Sequence, residues 1–93
     1  MERAPWTFLT NHAHVLLCVT TDPSVRVRDV ADRVGITERA AQRILADLAS
    51  EGYLVRTRVG RRNHYQLLLD QPMRHPIERV HSVRTLVEAL AEV

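Results

Sequence analysis

Gly35 stands between two short apolar patterns, and no other stretch of the chain restricts the fold as tightly. Upstream, Val30, Ala31 and Val34 recur at helical spacing. Downstream, Ala41, Ile44, Leu45 and Leu48 do the same. Glycine takes the left-handed backbone that ends one helix, and Thr37 is suited to cap the next, with Glu38 in its first turn. The connection is only Gly35-Ile36-Thr37, so the two helices must cross nearby. Ala31 and Ala41 are small where that crossing is closest, and Ile36 is the apolar residue of the turn. This spacing predicts one helix from about Arg28 or Asp29 to Val34 and another over 37–51.

The flanking elements follow from punctuation by Pro5, Pro23, Pro72 and Pro76. Leu9, Ala13, Leu16, Leu17 and Thr20 predict a first helix from about Thr7 to Thr20, with Thr7 as its cap. Thr21-Asp22-Pro23-Ser24 is a turn, and Val25-Arg26-Val27 alternates as a short strand would. Tyr53 to Val59 and His64 to Leu69 read as paired strands around a Gly60-Arg61-Arg62-Asn63 turn. A last helix is expected from Pro76 to Ala91, since proline suits the first helical position. The fold class is therefore mainly α with a small β-hairpin. Its order is helix, short strand, helix, helix, two-stranded wing and C-terminal helix, which is a winged helix-turn-helix. The expected division is a domain over 1–72 and a C-terminal helix within 73–93 that serves dimerisation.

Charge is distributed unevenly. All 13 basic side chains are arginine, which suits phosphates and guanine edges and also follows from codon usage alone. Residues 53–69 carry Arg56, Arg58, Arg61 and Arg62 without a carboxylate, whereas the tail from Asp70 has four acids against three arginines. On the 37–51 helix, Arg39, Gln42, Arg43, Ala46 and Ser50 gather opposite the apolar side. Arginine can read guanine and glutamine adenine in the major groove. The alternative is a solvated face in which Arg43 pairs with Asp47 one turn on. At the hairpin, Arg61 and Arg62 stand at the expected tip, where they would neutralise phosphates or enter a narrow minor groove, with Arg58 behind them. Charges at a hairpin edge also serve to prevent aggregation, and for Arg56 and His64 that reading is equally good.

Other chemistries find less support. Cys18 is the only cysteine, so no internal disulfide forms. His14 with Cys18, and Glu78 with His81, are spaced to share helix faces, yet no compact metal motif emerges. No metal site, cofactor or catalytic group is expected, so the chain is not read as an enzyme. Neither a secretory signal nor a run of the ~20 apolar residues that span a bilayer is evident, which makes the cytoplasm the default compartment and a membrane no partner. Ile77, Val80, Val83, Val87 and Leu90 form a stripe along the expected last helix. It either packs on its own core or meets a symmetry mate, with help from Trp6, Phe8 and Leu9. The homodimer is preferred, since three helices and the hairpin already serve the core; a two-fold dimer would set two reading helices on successive half-sites.

From Val27 to Leu45, and on through Leu48-Ala49-Ser50-Glu51-Gly52-Tyr53-Leu54 into the hairpin, the chain resembles compact winged helix-turn-helix regulators of the MarR/ArsR type. The resemblance covers roughly residues 9–69. It implies a dimeric regulator of double-stranded DNA, often a repressor, touching its operator through the third helix and wing. The contact positions it implies are Thr37, Arg39, Gln42, Arg43, Arg58, Arg61 and Arg62. The long terminal helices that shape an effector pocket in larger MarR-type proteins are largely missing, as is the thiol-rich motif of many ArsR-type sensors. A winged-helix protein–protein adaptor and a metal-responsive DNA-binding sensor are the alternative functions. An adaptor should show apolar residues where this chain has Arg39, Gln42 and Arg43.

Overall fold

A computed structural model of the protein describes residues 4–91, and the outer ends of the two expected units, 1–3 and 92–93, lie outside the described residues. The chain forms α1 (Asn11–Thr21), α2 (Val27–Val34), α3 (Glu38–Ser50), β1 (Leu54–Val59), β2 (Arg62–Leu67) and α4 (Val83–Leu90). The three-helix unit and the antiparallel hairpin are those of a winged helix-turn-helix. No helix among the described residues is long and apolar enough to cross a membrane.

The helix-turn-helix forms as its residues dictate. Gly35 ends α2 at φ 84°, in the left-handed region, and its amide donates to Ala31 O at 2.8 Å. Thr37 Oγ1 then accepts from the Ala40 amide at 3.0 Å and starts α3. Val30, Ala31, Ala41, Ile44, Leu45 and Leu48 are buried together with Val15, Leu16 and Val19 of α1. Close packing of that cluster fixes the angle at which α3 stands on the molecule.

Four sequence expectations shift. The first helix begins at Asn11 because Thr10, not Thr7, accepts from the Ala13 amide, at 3.3 Å; the Thr7 hydroxyl donates to Leu9 O instead. The short strand at Val25-Arg26-Val27 is absent. Arg26 O accepts from the Asp29 and Val30 amides, which makes Arg26 the N-cap of α2, and Val25 is buried in the core. The sheet therefore has two strands, and Tyr65 N donating to Pro23 O at 2.9 Å is the main-chain tie from β2 to the α1–α2 turn.

The hairpin turn is also tighter than expected. Val59 pairs with Arg62, leaving Gly60 and Arg61 as the only loop residues, so Arg62 and Asn63 belong to β2. Gly60 has φ 62° and no other turn residue has positive φ, the pattern of a II′ turn that suits the twist of a hairpin. Register pairs Leu54 with Leu67 and Arg56 with Tyr65, so Leu54 and Tyr65 bury one face of the hairpin base against the helices.

The last helix is far shorter than 76–91. Residues 74–81 form a projecting loop whose ends are clasped by Met73 N to His81 O at 3.0 Å and Val83 N to Gln71 O at 2.9 Å. Ser82 is the N-cap, and the first α4 amides donate to main-chain carbonyls of Gln71 and Leu69. Val83 and Val87, one turn apart, enter the same core as α1 to α3. Of the expected dimerisation stripe, these two side chains are therefore buried within the protomer. Ile77 and Val80 lie on the loop, each 83% exposed, and Leu90 is 49% exposed.

Candidate nucleic-acid interface

α3 has two chemically distinct sides. Ala41, Ile44, Leu45 and Leu48 are buried, while Arg39, Gln42, Arg43, Ala46 and Ser50 are exposed along the other side. Helical periodicity places them so, and helix length sets the reach: thirteen residues span ~20 Å, enough to lie across a major groove ~12 Å wide. Among the described residues, no ion pair engages Arg39 or Arg43.

The carboxylates of α3 explain that availability. Asp47 turns toward α1, where its Oδ2 lies 2.9 Å from His12 Nε2, and so does not pair with Arg43. Glu51 Oε1 faces Arg74 Nη2 at 3.8 Å. Asp47 near the end of α3 and Glu51 at its C-cap are thus drawn toward α1 and the 74–81 loop. Glu38 is in the first turn, where a negative charge complements the helix dipole. The outward stripe therefore combines two guanidinium groups and one amide, with small Ala46 and Ser50 allowing close approach.

Thr37 has a narrower capacity than the sequence implied. Its oxygen accepts from Ala40 N, which leaves the hydroxyl hydrogen to face an incoming acceptor. In the hairpin, Arg61 occupies the second position of the two-residue turn and is exposed. Arg58 folds back, its Nε donating to Gly60 O at 3.1 Å. Arg62 sits one position into β2 and reaches Ser24 O through Nη1 at 3.4 Å. His64 Nδ1 lies 3.1 Å from Ser24 Oγ, so His64 braces the wing against the α1–α2 turn. The structure thus brings Arg39, Gln42 and Arg43 onto one helix face. It leaves Arg61 at the apex, and ties Arg58 and Arg62 to main-chain oxygens near it.

Two contributors had no sequence signal. His12 stands 35 positions from Asp47, and Ser24 stands 40 from His64. Arg26 and Arg28, exposed at the start of α2, add further positive charge. They follow directly on Pro23 and Ser24, the residues to which Tyr65, His64 and Arg62 of the wing are tied.

The histidine and cysteine pairs do not converge. Among the described residues no three His, Cys, Asp or Glu side chains form a group able to hold a metal ion. His14 Nδ1 lies 3.2 Å from Asn11 Oδ1. Cys18 is buried, and burial pushes its thiol above the ordinary value, with Arg33 opposing. Glu78 and His81 lie on the projecting loop and not on a helix.

A family model described as the IclR helix-turn-helix domain matches residues 9–58. The match spans α1, α2 and α3 and runs into β1 as far as Arg58; the turn arginines, β2 and α4 lie beyond it. The chain matches no curated protein. The MarR/ArsR subtype suggested by the sequence is not confirmed, since IclR is a different winged helix-turn-helix family. The shared motif points to a DNA-binding transcription regulator, not to an enzyme. With more than half its length matched, the chain belongs to the IclR helix-turn-helix domain family.

Proposed function

We propose that the protein binds specific double-stranded DNA sites as a homodimer, with α3 and its cap, residues 37–51, in the major groove and the wing, 53–69, on phosphates or the minor groove. The observation that carries this reading is the Arg39–Gln42–Arg43 stripe on α3, whose arginines enter no ion pair among the described residues and whose neighbours Asp47 and Glu51 are engaged elsewhere. Arg39 and Arg43 suit guanine edges and Gln42 suits adenine. Thr37 donates to a phosphate at the helix start. Arg61 neutralises a phosphate at the wing apex, and Arg58 and Arg62 supply further positive charge after releasing their weak main-chain contacts.

Dimerisation in this proposal uses the exposed apolar side chains Ile77, Val80 and Leu90, backed by Val83 and Val87 from within the protomer core. A two-fold assembly would place two α3 helices on half-sites of a palindromic operator. The test is binding of purified protein to mixed-sequence duplex across a salt series, beside an Arg61→Ala/Arg62→Ala variant. Binding that weakens steeply with salt, with a shallower slope in the variant, supports counterion release by the wing. A folded protein that fails to bind duplex at low salt overturns the proposal and leaves a protein–protein adaptor as the reading to pursue.

A further inference from the structure

On the side of α3 away from the Arg39–Arg43 stripe, a cleft of about 770 Å³ opens between α1, the end of α3 and the 74–81 loop. Leu16, Leu48, Tyr53, Met73, Val83 and Leu86 give it an apolar lining, and Phe8 stands at its edge, 92% exposed. Tyr53 is pinned as a wall by its hydroxyl, which donates to Pro72 O at 2.8 Å. The DNA reading makes no use of this cleft.

The polar groups of the lining select a charge. Three carboxylates, Asp47, Glu51 and Glu78, line the cleft with one guanidinium, Arg74, and two imidazoles, His12 and His75, the latter accepting from the Ile77 amide at 3.1 Å. Arg74 is 69% exposed and 3.8 Å from Glu51, so it belongs to the outer rim. His12 engages one oxygen of Asp47, and Glu78 has no side-chain partner among the described residues. Two aromatic rings, Phe8 and Tyr53, belong to the lining, and aromatic rings attract cations; an apolar pocket with a few convergent polar groups is the usual form of a small-molecule site.

We infer that this cleft is a binding site for small lipophilic cations, with the apolar body of the ligand against Leu16, Met73 and Leu86 and its charge toward Glu78, Glu51 and the aromatic rings. The site stands independently of the DNA reading, because it can be tested without nucleic acid. An anion of the same shape would meet the carboxylates and be rejected.

The protein carries its own reporter. Trp6 is its only tryptophan and packs edge-to-face on Phe8 with ring centroids 5.0 Å apart. Tetraphenylphosphonium and tetraphenylborate have matched shapes and opposite charge, so they separate charge selection from simple apolar adsorption. Titrating the full chain with tetraphenylphosphonium should change Trp6 emission saturably, and equilibrium dialysis should return the same affinity at one site per protomer. Tetraphenylborate should bind at least tenfold more weakly. Glu51→Gln/Glu78→Gln, with both sites exposed and an unchanged urea midpoint, should weaken the cation roughly three- to tenfold. Equal binding of the two probes, no binding of either, or full affinity in the folded double variant would each overturn the inference. Occupation of the cleft by a second copy of the chain would show as no binding of either probe.

Discussion

The Asp47 carboxylate meets His12 on α1 at 2.9 Å, although Arg43 lies only one helical turn away on the same helix. This choice of partner keeps a negative charge off the outward stripe. In His12→Ala, Asp47 is released to its i−4 neighbour Arg43, a helix pairing of roughly 0.2–0.5 kcal/mol. Duplex affinity at low salt should fall about twofold in His12→Ala and recover in His12→Ala/Asp47→Asn. Equal loss in both variants would show that His12 acts in some other way.

The stripe and the wing should separate by the kind of loss they cause. Arg43→Ala or Gln42→Ala is expected to cost about 1–3 kcal/mol on a preferred site and to relax sequence choice there. Arg61→Ala should weaken all duplexes alike and reduce the salt slope by about 1. Competition binding against a selected and a scrambled duplex distinguishes the two patterns.

α4 and the loop before it should differ in the same measurable way. Val87 is buried in the core of the protomer, so Val87→Ala should lower the urea midpoint even at high dilution. Ile77→Ser/Val80→Ser removes only exposed apolar surface. Its stability should stay near that of the parent while the weight-average mass in sedimentation falls toward the monomer. Loss of stability without a change in mass would remove the loop from the interface.

Cys18 sets an alkaline limit. Burial holds its thiol above the ordinary value of 9.0, so between 9.0 and the higher folded value the unfolded chain loses a proton that the folded chain keeps. The unfolded state then binds fewer protons, and stability falls as pH rises through that interval. Below 9.0 the contribution is fully present. Urea midpoints at pH 8 and pH 10 should diverge less in Cys18→Ala than in the parent, and a thiol reagent at pH 8 should label Cys18 slowly until denaturant is added.

The helix-turn-helix was legible because local chemistry determines it: Gly35 and Thr37 act on their immediate neighbours, and the Ala41–Leu48 stripe has one way to be buried. The ends of the other elements depend on competition between similar groups. Thr7 and Thr10 are both capable caps, and the ladder of amides chose Thr10. Val25-Arg26-Val27 alternates, yet Arg26 O is needed to start α2. Pro76 is a fair helix start, but pairing of 71–73 with 81–83 makes Ser82 the cap and sends Val83 and Val87 inward. The stripe of Arg39, Gln42 and Arg43 followed from a period of 3.6, whereas the partners that clear it of acids, His12 and Arg74, come from distant segments that no periodicity joins.

The two-residue turn at Gly60-Arg61 has a consequence for how the wing can recognise anything. Side chains alternate along a strand, so Arg58 shares the face of Leu54 and Tyr65, while Arg62, opposite Val59, emerges on the reverse. Arg61 crowns the apex between them. The tip therefore carries a guanidinium at its apex and one on each face of the hairpin, the latter two resting on the main-chain oxygens of Gly60 and Ser24. In the proposed complex such a tip would grip a phosphate strand from more than one approach, which would leave the reading of base edges to α3.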